Sequence, residues 1–396
     1  MTEVPSEIQA AWQRLEEAAQ RIATEGPAAG RQALIDAVHG FRNAGDRSAE
    51  SYALSLLGGV HNELGSFEQA AQFHLAGLEV ARSLPKPGTR VVQHLDGLGI
   101  SLGNMGRWRE AEQYYEQALK ETRKPIHAMR KIRSHVLRHL ADLFARYSDR
   151  QREALELYAE SISISRENGD RYNIAASLNM KGKVLELMGH PEDALHHYEQ
   201  ARILADELGE AGLLASCYAH LGASYLHLRN LTLSRQYVER AMELDQKHGN
   251  KQGLGRDLFV FGGIQIAEGE DEGALKTLER ALLTAREIQD LQLAVLILER
   301  LAGLRDRRLE VWRAKGYLEM ALKYSKELGD AEAERRFTTM LAAYKDRADL
   351  FEMLPANVEA ARQQGRTDLE EELEFQLAEL YWKRGDLVQA KTHYAR

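Results

Sequence analysis

Residues 187–210 read LMGHPEDALHHYEQARILADELGE. Three histidines, His190, His196 and His197, stand beside Glu192 and Asp193, which raises a metal site on a helix as the first possibility. Forty residues on, 228–250 read LRNLTLSRQYVERAMELDQKHGN; forty further, 267–290 read AEGEDEGALKTLERALLTAREIQD. The histidines vanish, while the alanines and the Gly/Asp/Asn punctuation mostly stay. The stretch is one copy of a repeat, and its histidines belong to the positions that vary.

The repeat shows in columns of small residues. One column runs Gly58, Gly99, Ala141, Gly182, Gly222, Gly262, Ala302, Ala342, Ala378, with spacings of 41, 42, 41, 40, 40, 40, 40 and 36. A second runs Ala70, Ala111, Ala154, Ala194, Ser234, Ala274, Ala314, Leu354, Ala390. A third runs Gly77, Ala118, Ser161, Ala201, Ala241, Ala281, Ala321, Ala361. Small side chains let helices approach closely, so three columns predict three close crossings per unit. Gly169, Gly209, Gly249 and Gly329 lie at multiples of 40, where a residue ending a helix adopts φ > 0. Asp170, Asn250, Asp290 and Asp330 are placed to cap the helix that follows. A second turn carries Gly65, Gly106, Gly189, Gly269 and Gly385, with Pro191 in a first-turn position. Each unit therefore reads as helix, tight turn, helix, short loop.

The pattern resembles the tetratricopeptide repeat. Its carriers are LLGGVHNELGSFEQAAQFHLAGLEVA (56–81), GLGISLGNMGRWREAEQYYEQALKETR (97–123) and KGKVLELMGHPEDALHHYEQARILADELG (181–209). The family's usual unit has 34 residues; the longer unit here is similar to the forty-residue subclass found in bacterial sensor and regulator proteins and in cell-polarity adaptors. The resemblance implies an all-α, right-handed superhelical solenoid of helix-turn-helix repeats, with about 18–19 helices. Residues 1–46 read as an N-terminal helical pair, a divergent repeat or cap, and 47–396 as about nine repeats with the last incomplete. Ser234 and Leu354 depart from the alanine column, and Leu309 and Asp349 stand where the turn prefers glycine.

Bulk properties narrow the function. A net charge of −8 argues against a generic nucleic-acid binder. The single cysteine, Cys217, forbids an internal disulfide and fits a reducing, cytoplasmic compartment. The start, MTEVPSEIQAAW, has neither the basic nor the apolar segment of a secretory signal. No apolar run approaches the ~20 residues of a membrane span.

No cofactor motif is present: there is no P-loop, no GxGxxG after a strand and no GxSxG. Glu192/His196 and Asp193/His197 are i,i+4 pairs, but no further ligand follows at zinc-like spacing, so no metal is expected. Cys217 has His220 three residues on, yet it falls near a small-residue column and reads as a packed residue rather than a nucleophile. Trp108 reads as core. The chain is not expected to be an enzyme.

The resemblance implies instead that the first helix of each unit lines a concave groove that holds a protein or peptide. Carrying the register over gives Asn104, Arg138, Arg146, Asn179, Lys183, His220, Arg256 and Arg300 as the leading groove residues. The same register adds Tyr52, Asn62, Glu63, Asp96, His139, Asp142, Glu186, Phe259, Glu299, Arg307, Arg336, Arg347, Phe375, Glu379 and Trp382. The stretch KETRKPIHAMRKIRSHVLRH (120–139) has seven Lys/Arg against one acid. It reads either as a solvated connector with basic outer turns or as a basic patch suited to an acidic partner. The full Lys/Asn/Arg set with which chaperone-binding members clamp a terminal carboxylate is not found. Two functions follow: a scaffold or adaptor, or a sensor module controlling an output domain. The end, LVQAKTHYAR, falls inside the second helix of a repeat, and another domain, a partner or a second copy is expected to cover it.

Overall fold

The computed structural model describes residues 6–123, 127–146, 149–308, 310–346, 350–383 and 386–395. All of its elements are helices, and no strand occurs among the described residues. Two compact units divide within α11 (Ala211–His227), after Cys217.

The first unit begins with α1 (Ser6–Glu25) and α2 (Pro27–Asn43). Four helix pairs follow: α3 (Arg47–Glu63) with α4 (Phe67–Arg82), α5 (Arg90–Asn104) with α6 (Trp108–Glu121), α7 (His127–Ala145) with α8 (Gln151–Asn168), and α9 (Arg171–Leu187) with α10 (Pro191–Leu208). The second unit continues with α12 (Leu231–Lys247), α13 (Lys251–Glu268), α14 (Asp271–Glu287), α15 (Leu291–Arg307) and α16 (Val311–Leu328). It ends with α17 (Ala331–Asp346), α18 (Leu350–Gln363), α19 (Thr367–Lys383) and α20 (Leu387–Tyr394). Twenty helices occur among the described residues, the N-terminal pair and nine further pairs, against an expectation of about 18–19. The last, α20, has eight residues and is started by Asp386 accepting a hydrogen bond from Gln389 N.

The columns form the core for a steric reason. On the first helix of a pair, each glycine of the first column faces a larger residue sixteen positions later. A Cβ added at Gly99 would come within 2.5 Å of the Tyr115 ring, and one at Gly182 within 2.7 Å of Tyr198. Gly222 faces Val238 and Gly262 faces Leu278 in the same way. Backbone contact without a side chain is what brings the two helices together at that point. Every member of the two second-helix columns is buried, Ser234 and Leu354 included. Ala342 is the exception among the first-helix positions, being exposed on α17.

Punctuation is equally physical. Asp46, Asp170, Asn230, Asn250, Asp290, Asp330 and Asp386 each accept a hydrogen bond from the backbone N–H three residues on, at 2.9–3.2 Å. These side chains satisfy donors that a helix start leaves open. Two sites show that the fold dictates turn geometry even against residue preference. Arg229 and Gln289 stand forty residues from turn glycines, yet keep φ of 62° and 58°. A non-glycine residue in that region costs about 1 kcal/mol, which the surrounding packing offsets.

Candidate functional site

Of the leading predicted residues of the first unit, Asn104 and Arg138 lie on α5 and α7, Arg146 directly follows α7, and Asn179 and Lys183 lie on α9. A cleft of about 160 Å³ is lined by Ile100, Gly103, Asn104, Tyr115, His139, Asp142, Leu143 and Arg146. Four of these, Asn104, His139, Asp142 and Arg146, come from the register. Tyr115 was not anticipated as lining. Its signal lay in Gly99, the glycine that makes room for its ring.

A hydrogen-bond chain fixes the wall. Arg138 donates to His139 Nε2 at 2.7 Å, so His139 carries its hydrogen on Nδ1 and donates it to Asp96 at 2.8 Å. Arg138 also donates to Asn173 Oδ1 at 2.8 Å and to Asp142 Oδ2 at 3.3 Å. Tyr158 donates to the other Asp142 oxygen at 2.5 Å. Burial, reinforced by Asp96 and Asp142, pushes the Tyr115 phenol well above its ordinary range, and burial beside Asp142 does the same to Tyr158. Both phenols therefore stay protonated, and Tyr158 serves as a donor to Asp142.

Arg146 differs from the wall. It is exposed and donates to Asn104 Oδ1 at 3.2 Å and to the Gly103 carbonyl at 3.5 Å, both neutral acceptors. No carboxylate pairs with it among the described residues. A guanidinium has five N–H donors, so most of its capacity remains open at the cleft. Asn104 spends its oxygen on Arg146.

The basic run resolves the other way. Arg130 pairs with Glu167, Lys131 lies 3.7 Å from Asp170, and Arg133 lies 2.8 Å from Glu160. His135 is 2.9 Å from the same Asp170. The acids of α8 and of the α9 cap pair with Arg130, Lys131 and Arg133 on the outer face of α7, which favours the solvated reading among the described residues. Lys124 and Pro125 lie outside the described residues.

Other predicted positions need correction. Arg138 is mostly covered, with its side chain 16% exposed, and it acts as a wall residue rather than a presented cation. Asn179 is 1% exposed and donates to Ser216 Oγ at 3.0 Å, so it is a packing contact between α9 and α11. Lys183 is exposed on α9 and His220 is half-buried on α11. Trp108, expected in the core, is 47% exposed because it occupies the first turn of α6. Cys217 is fully buried, and burial pushes its thiol up to about 12, which removes the thiolate a nucleophile needs.

In the second unit Arg256 is exposed, 4.0 Å from Asp290, and Arg336 is bound to Glu299 at 2.9 Å. Arg300 is exposed and stacks over the Phe259 ring at 4.8 Å, a cation–π contact. A Cβ at Gly263 would come within 2.7 Å of the Arg300 guanidinium, so that glycine leaves room for it. Phe375 and Trp382 are exposed on α19. Arg347 lies outside the described residues.

The histidines of α10 do not assemble a metal centre. His196 contacts Gln200 at 3.0 Å, and burial, with Lys181 and His196 nearby, holds His197 down at about 4. Among the described residues no group of three or more His, Cys, Asp or Glu is placed to hold a metal ion. Treatment with a strong chelator is expected to leave the thermal midpoint unchanged; a fall in the midpoint would show a structural metal.

With the repeat geometry in place, the class is defined: the chain carries tetratricopeptide repeats. Tetratricopeptide-repeat family profiles match residues 50–120 and 133–206, and again 215–248. Among solved structures, it is similar to a signal-transduction ATPase with numerous domains bearing a tetratricopeptide repeat sensor, from Pyrococcus horikoshii. That match has 17% identity and a TM-score of 0.59, over 85% of this chain and 50% of that one. It is similar to a Rap protein complexed with Competence and Sporulation Factor, at 15% identity and TM-score 0.55, over 86% and 98% of the two chains. It is also similar to the apo form of the quorum sensor NprR from B. thuringiensis, at 14% identity and TM-score 0.51, over 98% and 97%. At these identities the likeness is one of fold. No curated protein matches the sequence. No helix among the described residues is long and apolar enough to cross a membrane.

Proposed function

We propose that the chain is a non-enzymatic, cytoplasmic interaction protein whose α5–α7 cleft holds a segment of a protein or peptide through an acidic group. The observation that carries this reading is Arg146, an exposed guanidinium whose partners are neutral while the arginines of the neighbouring outer face are ion-paired. A carboxylate binds such a fork through charge-assisted hydrogen bonds. Asn104 adds an amide donor, and Ile100 and Leu143 offer aliphatic surface to the same segment. The cleft is small, so it takes one side chain of a longer ligand rather than a whole molecule.

A second reading, a sensor module acting on an output domain, is favoured by the comparisons. One similar structure is titled a repeat sensor, another a quorum sensor, and a third holds a Competence and Sporulation Factor. Both readings use the same cleft and differ in what binding controls. The C-terminal apolar side chains Phe375 and Trp382 suit coverage by a partner in either case. A library of short peptides graded in Asp/Glu content tests the shared part. Retention is expected to rise with acidic content and to weaken as salt is added, because exposed charges are screened within about 8 Å at physiological ionic strength. Retention independent of acidic content would overturn it.

A further inference from the structure

The α3–α4–α5 crossing contains two imidazoles that the cleft does not use. His74 on α4 is 3% exposed and His94 on α5 is fully buried. Their Nδ1 atoms are 3.4 Å apart. Glycines from all three helices cradle them. A Cβ at Gly58 or Gly97 would come within 2.5 or 2.3 Å of the His74 ring, and one at Gly77 within 2.1 Å of the His94 ring. The rings therefore have little room to rotate.

The acceptors assign the hydrogens. His94 Nε2 is 3.1 Å from the Ser51 carbonyl, which only accepts, so Nε2 carries hydrogen. Ser51 Oγ is 3.0 Å from the same nitrogen and donates to the Gly77 carbonyl at 3.3 Å. His94 Nδ1 is then a lone pair, and His74 Nδ1 must carry the hydrogen that joins the two rings. His74 Nε2 is left buried with no partner among the described residues. The neutral pair has one tautomeric arrangement, and one position for an added proton.

We propose that this pair is a proton-operated clasp: neutral, it closes the α3–α4–α5 crossing, and a proton arriving at His74 Nε2 opens it. That proton would place a charge where nothing accepts its hydrogen bond, which is costly in a dry interior. The groups that act on the pair electrostatically are Asp96 and Arg90, both on α5, with opposite effects. α3 faces the pair with the neutral Ser51, and α4 contributes His74 itself. Burial accordingly holds His74 down at about 4 and His94 at about 3, against 6.5 for a free imidazole. The sign follows from linkage. The opened form takes up protons as pH falls through 6.5 and the closed form does not, so closure weakens on acidification and is full above that pH.

Two measurements on the full chain test the clasp without any ligand. Hydrogen exchange, corrected for its intrinsic pH dependence, is compared at about pH 7.5 and about pH 5. Exchange in α3–α5 is expected to accelerate at least about tenfold relative to α15–α16 on acidification. In His74→Phe, which keeps a ring in the cradle but has no proton site, that acceleration is expected to shrink even if the variant is less stable throughout. Nitrogen-15 NMR of the wild type at about pH 7.5 is expected to show His94 protonated on Nε2 and His74 on Nδ1. Either histidine titrating in the folded protein near 6.5, the opposite tautomers, or equal acceleration in α15–α16 would overturn the proposal.

Discussion

Ala201→Asp and Ala241→Asp are each expected to destabilise the protein by about 3 kcal/mol or more. Both alanines are fully buried in the third small-residue column, on α10 and α12. Ala201 packs with Ile162, Ile174, Leu178 and Cys217, none of which offers a hydrogen-bonding partner suited to a carboxylate. An aspartate there overpacks a close helix crossing and buries a charge at the same time. Thermal denaturation by circular dichroism reads the effect, and midpoints equal to wild type for both variants would contradict the register on which the fold is built.

Asp257→Asn is expected to act in the opposite direction. Asp257 lies on α13 at a first-helix position where other units carry Ile297 or Phe337, and it is 1% exposed. One of its oxygens has no partner among the described residues. Burial, with Asp245 adding repulsion, raises its carboxyl to about 8. The unfolded group ionises at 3.8, so the folded state forgoes that ionisation, and stability is lost progressively as pH rises from 3.8 toward 8. Asparagine keeps the shape and removes the titration. The variant is expected to be more stable at about pH 8 by on the order of 2–4 kcal/mol, and to gain less at about pH 5. Denaturant titrations of both proteins at the two pH values check this. A gain independent of pH, or none, would show that Asp257 ionises normally in the fold. The histidine clasp loses stability in the acid direction, so the two effects separate by sign as well as by unit.

The repeat was legible because its cause is local and recurs. Gly99 is small since Tyr115 is large, Gly182 since Tyr198 is large, and Asp170 caps since the next helix starts immediately after it. What escaped the sequence depends on partners far along the chain. The basic run of α7 leaves both readings open, solvated face or basic patch, until Glu160, Glu167 and Asp170 arrive some thirty residues later to pair with it. Asn179 satisfies the inward register but meets Ser216 from the next unit's first helix. Trp108 reads as core, yet it opens a second helix, whose first turn stands half clear of its neighbours. Arg146 was legible as a groove position. Its freedom from carboxylates was not, because that depends on what the neighbouring helices leave empty.

The cleft's claim on an acidic ligand is tested most directly by reversing Arg146 and measuring binding to the best acidic peptide from the library. Arg146→Glu, at an exposed site, is expected to change stability by no more than about 0.5 kcal/mol. It should nevertheless weaken binding more than about tenfold, since an attraction is lost and a repulsion added. Arg123→Glu, on the exposed connector after α6, is the matched control and is expected to bind as wild type. Equal weakening in both variants, or undiminished binding by Arg146→Glu, would contradict recognition at the α5–α7 cleft.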